Sequence, residues 1–281
     1  MELITSAADM QSRATRLRNE GKIIGFVPTM GYLHRGHLSL VDLVRAKCDA
    51  LILSIFVNPT QFGAGEDFEK YPRDVKRDLA LCREKGVDFV FTPQSSEIYE
   101  PDASTFVVEE EVGKGLCGDT RPAHFKGVAT VCAKLFNLCQ PHLVALGQKD
   151  AQQVVVLKRM IRDLHFPIDV LVGPILREDD GLAMSSRNAY LEPNQRKDAL
   201  LISRALQAAR VLVEKKGSCN VDRVKAEVLN ILKEGRYLRV NYVEIVDRET
   251  MVPETEIIPG RSMLAVAVWV EQVRLIDNFC F

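Results

Sequence analysis

The fold is decided by the stretch Ile23–His37, which reads Ile-Ile-Gly-Phe-Val-Pro-Thr-Met-Gly-Tyr-Leu-His-Arg-Gly-His. It opens with a short apolar run, 23–27, which is followed by a proline and is typical of a buried strand that ends abruptly. Apolar residues then recur at helical spacing, which predicts a helix beginning near Gly36. His34 and His37 therefore lie where a strand passes into a helix. In open α/β sheets ligands bind at that corner, and the free N–H groups of a helix N-terminus suit phosphate.

The pattern continues along the first two thirds of the chain, where apolar runs alternate with amphipathic helical segments. Strands are predicted at 23–27, 50–57, 87–91, 143–147 and 168–172. Helices are predicted at 7–19, 74–85, 125–139 and 151–164. Such alternation predicts an α/β domain built on a parallel sheet with helices on both faces, and right-handed crossovers put the loops after the strands on one rim.

The pattern changes at residues 173–188, which form a predicted loop rich in Gly, Pro and polar residues. Helices are predicted beyond it at 195–215 and 221–233, and strands at 237–246, 263–270 and 273–276. We therefore expect a larger domain over 1–176 and a smaller α+β domain over 177–281.

Composition narrows the class of protein. The 281 residues are 47% hydrophobic and carry a net charge of −1, so they can bury a large core and give no electrostatic reason to expect nucleic acid or an anionic membrane as a partner. Seven cysteines without a Cys-x-x-Cys pair argue against a disulfide framework or a cysteine-rich zinc site. The chain shows no secretory signal and no apolar run long enough to span a bilayer. These features predict a cytoplasmic protein.

The histidine pair allows three interpretations. One ring caps the helix and the other is solvated, or the pair binds a metal, although no third ligand is evident nearby. In the third interpretation both imidazoles donate to phosphate oxygens. The flanking Pro28-Thr29-Met30-Gly31 favours this interpretation, as does Gly36, which allows close approach of a ligand to the backbone.

Two later segments carry further groups suited to phosphate. Gly147–Asp150 follows a predicted strand and brings Lys149 to the rim of the histidines, where it could neutralise a polyphosphate. Asp150 could cap the next helix or hold a magnesium-bound water, and Gln153 faces the same way as Lys149. Residues 184–187, Met-Ser-Ser-Arg, are either a flexible linker or a mobile clamp on phosphates.

Uncharged polar groups and two missing motifs narrow the ligand. Asn58, Gln61 and Tyr71 lie after the second main strand and suit a small polar organic substrate. The chain lacks a Gly-x-x-x-x-Gly-Lys-Ser/Thr loop, and no Gly-x-Gly-x-x-Gly follows the first strand, which argues against a P-loop enzyme and weakens a dinucleotide site.

Four motifs in order identify a family. Pro28-Thr29-Met30-Gly31 with His34-x-Gly36-His37, Val57-Asn58-Pro59-x-Gln61-Phe62, Gly147-x-Lys149-Asp150-x-Gln152-Gln153 and Met184-Ser185-Ser186-Arg187-Asn188 together resemble the pantoate–β-alanine ligase family. The His-x-Gly-His element also resembles that of the wider nucleotidyltransferase superfamily, which includes class I aminoacyl-tRNA synthetases. There the segment 184–187 resembles the lysine-bearing phosphate loop.

The resemblance implies a Rossmann-like N-terminal domain, a smaller C-terminal lid and a homodimer. It implies ATP, (R)-pantoate and β-alanine as substrates, with Mg²⁺, and pantothenate, AMP and pyrophosphate as products.

The resemblance also implies roles for individual residues. The ATP-binding set is Met30, Gly31, Tyr32, Leu33, His34, Arg35, Gly36, His37, Gly147, Gln148, Lys149, Asp150, Leu176 through its backbone, Met184, Ser185, Ser186 and Arg187. His37 is the expected catalytic residue, assisted by His34 and Lys149. Gln61 and Gln153 are expected to bind pantoate, with Asn58 and Tyr71 nearby, and Asp150 is the candidate magnesium ligand. Neither Arg35 nor Gln148 is expected to carry the reaction.

Three rival functions can be weighed on the same residues. An enzyme that adenylylates a phosphorylated substrate would need basic residues near 58–71, but that stretch is acidic at Glu66, Asp67 and Glu69. A tRNA-linked synthetase would need a basic face or an RNA-binding domain. A non-catalytic nucleotide-binding regulator would need only part of the phosphate-facing set, and the chain retains all of it.

Overall fold

A computed structural model describes all 281 residues. The strands are β1 (Glu2–Ile4), β2 (Ile24–Thr29), β3 (Ala50–Ile55), β4 (Phe89–Phe91), β5 (Leu143–Gly147), β6 (Asp169–Gly173), β7 (Leu238–Asp247), β8 (Ser262–Val270) and β9 (Val273–Cys280). The α-helices are α1 (Ala7–Asn19), α2 (Arg35–Arg45), α3 (Val75–Glu84), α4 (Ser95–Ile98), α5 (Cys117–Thr120), α6 (His124–Cys139), α7 (Ala151–Asp163), α8 (Pro193–Glu214) and α9 (Val221–Leu232). Short 3₁₀ helices cover Pro59–Gln61, Gln148–Asp150 and Ser186–Tyr190.

The first six strands form one parallel sheet in the order β1-β4-β3-β2-β5-β6. Strand β2 lies inside it, paired with β3 on one side and with β5 on the other. The chain order reverses at this point, because β3 and β4 extend the sheet in one direction and β5 and β6 in the other. The loop after β2 therefore opens at the topological switch point, where α/β sheets bind ligands.

Helices cover both faces of this sheet, as the sequence pattern predicted. On one face Val27, Leu51 and Leu53 pack with residues of α2 and α3. On the other face Phe26 and Ile52 pack with α1, α6 and α7. Side chains alternate between the two faces along each strand, so a strand buried on both sides reads as one continuous apolar run.

The last three strands form a separate antiparallel sheet in the order β7-β8-β9. Leu264, Val266 and Val268 point to a core shared with α8 and α9, whereas Met263 and Ala265 pack on the core of the parallel sheet. The expected α/β fold class with a smaller α+β part is confirmed. The division between 176 and 177 stays a prediction, and it falls in the connection between the two sheets.

The sequence pattern missed strand β1, which extends the parallel sheet by pairing with β4. Only Ile4 of its three residues is buried, and such a short segment shows no periodicity. No helix combines the length and the apolar character that a membrane crossing needs.

Candidate active site

The strand-to-helix corner after β2 places the two histidines ring against ring. His34 is the last residue before α2 and His37 lies in its first turn. Their ring centroids are 4.0 Å apart, and the backbone N–H of His34 donates to Nδ1 of His37 at 3.3 Å. Because Nδ1 of His37 accepts this bond, a neutral His37 carries its proton on Nε2. That atom is then a hydrogen-bond donor for a ligand.

Both imidazoles are held neutral at pH 7. Burial, with a smaller contribution from Lys149, lowers the pKa of His34 to about 4. Burial also lowers the pKa of His37, and the neighbouring His34 and Lys149 lower it further. The buried Nδ1 atom of His34 has no hydrogen-bond partner within the protein. The corner therefore presents neutral, poorly solvated nitrogen atoms rather than two imidazolium ions.

A buried carboxylate fixes the loop that leads to this corner. Asp78 on α3 is fully buried and accepts the backbone N–H groups of Tyr32 at 2.7 Å and Leu33 at 2.8 Å. Burial raises the pKa of Asp78, and these two hydrogen bonds oppose that rise. Gly31 has a φ of +82°, and an added Cβ would lie 2.8 Å from Cγ2 of Ile55. The turn therefore needs a glycine as well as the carboxylate.

The second polar group of the site is built on the loop after β3. Asn58 donates through Nδ2 to Oε1 of Gln61 at 3.1 Å and to the carbonyl oxygen of Gly127 at 3.2 Å, and its Oδ1 accepts from Tyr99 at 2.8 Å. Since the amide of Asn58 is saturated within the protein, it orients Gln61. The Nε2 of Gln61 then lies 3.2 Å from Sδ of Met30.

Close packing brings this loop to its place. A Cβ added at Gly127 on α6 would lie within 2.6 Å of backbone atoms of Thr60 and Gln61. Gln61 is 8% exposed, and it still lines the cavity. The absence of a side chain at Gly127 therefore sets the depth of Gln61.

The loop after β5 supplies the cation. Lys149 lies with its Nζ 3.5 Å from Oδ1 of Asp150. Gln153 follows on α7 and faces the same cavity. Gln148 turns the other way, and its Nε2 donates to Oδ1 of Asn278 on β9 at 3.0 Å. The ATP contact that the resemblance implies for Gln148 would have to come from its backbone.

The loop before α8 closes the other side. Ser186 lies with Oγ 3.3 Å from the carbonyl oxygen of Tyr32, and Ser185 accepts the backbone N–H of Arg187 at 3.2 Å. The Arg187 guanidinium lies over the ring of Tyr71, 5.6 Å from its centroid. Burial raises the pKa of Tyr71, and the neighbouring Ser186 and Arg187 oppose that rise. Tyr71, expected near the organic substrate, thus packs against the Ser-Ser-Arg loop.

Sixteen of the predicted residues line one cavity of about 980 Å³: Met30, His34, Gly36, His37, Asn58, Gln61, Tyr71, Gly147, Lys149, Asp150, Gln153, Leu176, Met184, Ser185, Ser186 and Arg187. Gly31, Tyr32, Leu33, Arg35 and Gln148 do not line it. Leu33 is a fully buried core residue, and Arg35 points outward to Asp179. Sequence segments up to 157 residues apart are thus brought to one cleft between the two sheets.

Comparison with known proteins agrees with this geometry. The family model described as pantoate-beta-alanine ligase matches residues 2–280. The chain belongs to the pantoate-beta-alanine ligase family. It is 50% identical to a pantothenate synthetase from Thermotoga neapolitana over 99% of both chains. The family resemblance and the ligase activity that it implies are confirmed.

Two solved structures of the family share the whole fold. Pantothenate synthetase from Thermus thermophilus is 44% identical, with a TM-score of 0.94 over 99% of both chains. The pantoate-beta-alanine ligase from Francisella tularensis, complexed with beta-gamma ATP and beta-alanine, is 29% identical, with a TM-score of 0.83 over 100% of this chain and 97% of that one.

The sequence analysis missed several residues that shape this ligase's cleft. Asp78, Arg121 and His124 received no role there, and Asp67 entered only as part of an acidic stretch. His124 lies with Nδ1 3.0 Å from the carbonyl oxygen of Gln61, and burial beside Arg121 lowers its pKa to about 4. None of these residues stands in a motif that periodicity or spacing could single out, because each acts through contacts distant in sequence.

Replacing Asp78 tests the support of the histidine corner. Asp78→Ala leaves the buried N–H group of Leu33 and the partly buried N–H group of Tyr32 without an acceptor, which should cost about 1–3 kcal/mol of unfolding free energy. Turnover should fall as well, because the loop before His34 is released. The control is Asp179→Ala, whose side chain is 96% exposed. Denaturant unfolding and steady-state rates measure both effects, and equal behaviour of the two variants would contradict the assignment.

Burial of the histidines makes stability depend on pH. An unfolded histidine has a pKa of about 6.5, whereas folded His34 and His124 have pKa values of about 4. Between these two pH values the unfolded chain binds more protons than the folded chain. The contribution of these histidines to the free energy of unfolding is therefore fully present above pH 6.5 and is lost as the pH falls toward 4. His34→Gln should reduce the loss between pH 7 and 5.5 by roughly 1 kcal/mol. The free energy of unfolding is measured by urea titration at each pH. If His34→Gln loses as much stability between pH 7 and 5.5 as the unmodified protein, folded His34 is not held neutral.

Proposed function

We propose that this ligase condenses (R)-pantoate with β-alanine in two steps, with ATP consumed to AMP and pyrophosphate through a pantoyl adenylate. The observation that carries the proposal is that one cavity is lined by His34, His37 and Arg187 and also by Gln61 and Gln153. Groups suited to phosphate and groups suited to a small hydroxy acid therefore line the same cavity.

The donor set suits charge that builds up on phosphorus. In the first step a pantoate carboxylate oxygen attacks the α-phosphorus in line, and the bond to the departing pyrophosphate breaks. Neutral Nε2–H of His37, the hydroxyls of Ser185 and Ser186, and the cations Lys149 and Arg187 would stabilise the developing charge. Donors fixed beforehand in a poorly solvated site do this without reorganisation.

The amide end suits the organic acid. Gln61 and Gln153 can both donate and accept, as the hydroxyl and carboxylate groups of pantoate require. In the second step the neutral amine of β-alanine attacks the acyl carbon, the bond from that carbon to the phosphate oxygen breaks, and AMP leaves while the nitrogen releases one proton to solvent. No protein nucleophile is needed, since positioning two reactants supplies much of the acceleration.

The residues of the cleft fit Mg²⁺ bound mainly to ATP. No cluster of three or more His, Cys, Asp or Glu side chains could hold a metal by itself. Asp150 offers one carboxylate on the cavity wall, 45% exposed. Mg²⁺ commonly keeps waters and uses one or two carboxylates beside substrate phosphates. Asp150 would hold it, directly or through water, and the ion would neutralise phosphate charge.

Further expectations belong to the same proposal. The segment 177–281 would act as a clamp that shields the adenylate from water, with the Ser185–Arg187 loop as its contact to ATP. A homodimer in the cytoplasm is expected from the family resemblance, and all seven cysteines are free thiols, as a reducing compartment favours.

Removal of the His37 ring tests the first step. His37→Ala should lower turnover by about 10²-fold, the scale for losing one fixed donor to a developing charge. The control is His165→Asn, because His165 is exposed and lies outside the cleft. Steady-state assays with all substrates measure both variants. Turnover of His37→Ala equal to that of the control would remove His37 from the reaction.

Truncation of Gln153 tests the placement of the acid. Gln153→Ala should raise the KM for pantoate roughly tenfold, as the loss of a hydrogen bond to a charged group predicts. The KM for ATP should stay unchanged. If only the ATP requirement rises in the same assay, Gln153 faces the nucleotide.

Isotope exchange tests the two-step route. Labelled pyrophosphate should enter ATP only when pantoate and Mg²⁺ are present, without β-alanine. Exchange that occurs equally without pantoate, or product formation without any exchange, would argue against a reversible adenylate step.

A further inference from the structure

The loop 62–71, between Gln61 and α3, carries two consecutive acids that each bind an arginine from a distant part of the chain. Glu66 accepts from Nε of Arg121 at 2.7 Å and from Nη2 at 2.5 Å. Asp67 accepts from Nε of Arg187 at 2.8 Å and from Nη2 at 2.9 Å. The loop thus connects the neighbourhood of Gln61 with the Ser-Ser-Arg loop across the cleft.

The contact of Asp67 fixes the orientation of Arg187. The side chains are 26% and 24% exposed, so the pair is partly withdrawn from water. Two parallel hydrogen bonds between a guanidinium and a carboxylate define a plane, unlike a single contact. The ring of Tyr71 lies under the guanidinium, 5.6 Å from its centroid, and limits movement out of that plane.

The pair leaves most of the guanidinium available. Arginine has five N–H donors, and Asp67 uses one on Nε and one on Nη2. Both donors on Nη1 and the second on Nη2 remain, on the edge of the guanidinium turned away from Asp67. Arg187 and Asp67 both line the cavity that holds His34, His37 and Lys149.

We propose that Asp67 is a positioning residue for ATP, which orients Arg187 so that its remaining N–H groups face the phosphates. This inference rests on the proposed function. A long side chain loses considerable rotamer freedom when it is immobilised. Asp67 and Tyr71 impose that loss during folding, so ATP does not have to impose it on binding.

The position of a carboxylate beside a triphosphate site supports orientation rather than attraction. A free carboxylate would repel phosphate, whereas both oxygens of Asp67 accept hydrogen bonds from Arg187. If Asp67 instead competes with phosphate for Arg187, its removal should change the affinity for ATP in the opposite direction. Removing a competitor tightens ATP binding, and removing a positioning group weakens it.

Asp67→Asn separates these roles. The amide keeps the size of the side chain but loses its charge and one acceptor. We expect the KM for ATP in pyrophosphate exchange to rise about tenfold, while the KM for pantoate stays unchanged. Asp67→Glu, which restores the carboxylate, should recover part of the loss. Glu69→Gln is the matched control, because it removes the same charge from the same loop without touching Arg187.

A double-mutant cycle then tests whether Asp67 acts through Arg187. Arg187→Ala should raise the KM for ATP by itself, and adding Asp67→Asn to it should change that KM no further. A fall in the KM for ATP in Asp67→Asn, an unchanged KM, or full additivity with Arg187→Ala would each overturn the proposal. The proposed function fails separately, when the unmodified protein shows no pantoate-dependent exchange.

Discussion

The site depends on two backbone N–H groups that donate hydrogen bonds to one buried carboxylate. Asp78 holds the backbone of Tyr32 and Leu33, and the next residue is His34, whose ring stacks on His37. Asp78 fixes the short loop through which the chain enters α2, and it thereby fixes the positions of both rings. The hydrogen bond from the His34 backbone to Nδ1 of His37 then settles which nitrogen carries the proton. A structural contact thereby determines a chemical property of the ligase.

The electrostatics of the cleft follow from this packing. Burial keeps both imidazoles neutral, and two arginines that line the cavity, Arg121 and Arg187, are each paired with a carboxylate. A cleft lined with unpaired cations would stabilise the phosphates of bound ATP about as strongly as those of the transition state, and such uniform binding does not accelerate the chemical step. Oriented neutral donors with few free cations favour the transient charge on phosphorus instead.

Much of the fold is visible in the sequence because it rests on local patterns. The parallel strands are continuous apolar runs, and the helices show regular amphipathic spacing, so the strand-to-helix corner with its histidines could be placed before any coordinates. Strand β1 escaped notice because its three residues carry no periodicity.

The supporting contacts of the site are not visible in the same way. Asp78 binds Leu33 across 45 positions, and Asp67 binds Arg187 across 120. Gln148 stands inside a recognisable motif, but Asn278, 130 positions later, draws its side chain away from the cleft. The place of Asn58 beside the substrate stays a prediction, and its hydrogen bonds to Gln61 and to the carbonyl oxygen of Gly127 add a supporting role that the sequence did not indicate. Such roles depend on which elements the fold brings together, and one sequence does not encode them locally.

In the proposed mechanism pantoate attacks the α-phosphorus of ATP, and the fate of the pantoate oxygen reports on this step. Pantoate labelled with ¹⁸O in its carboxylate is converted with ATP, Mg²⁺ and β-alanine, and the products are analysed by mass spectrometry. We expect one ¹⁸O atom in the phosphate of AMP, because the attacking oxygen stays on phosphorus when the amine displaces AMP. Label in inorganic phosphate or pyrophosphate, or AMP without label, would contradict it.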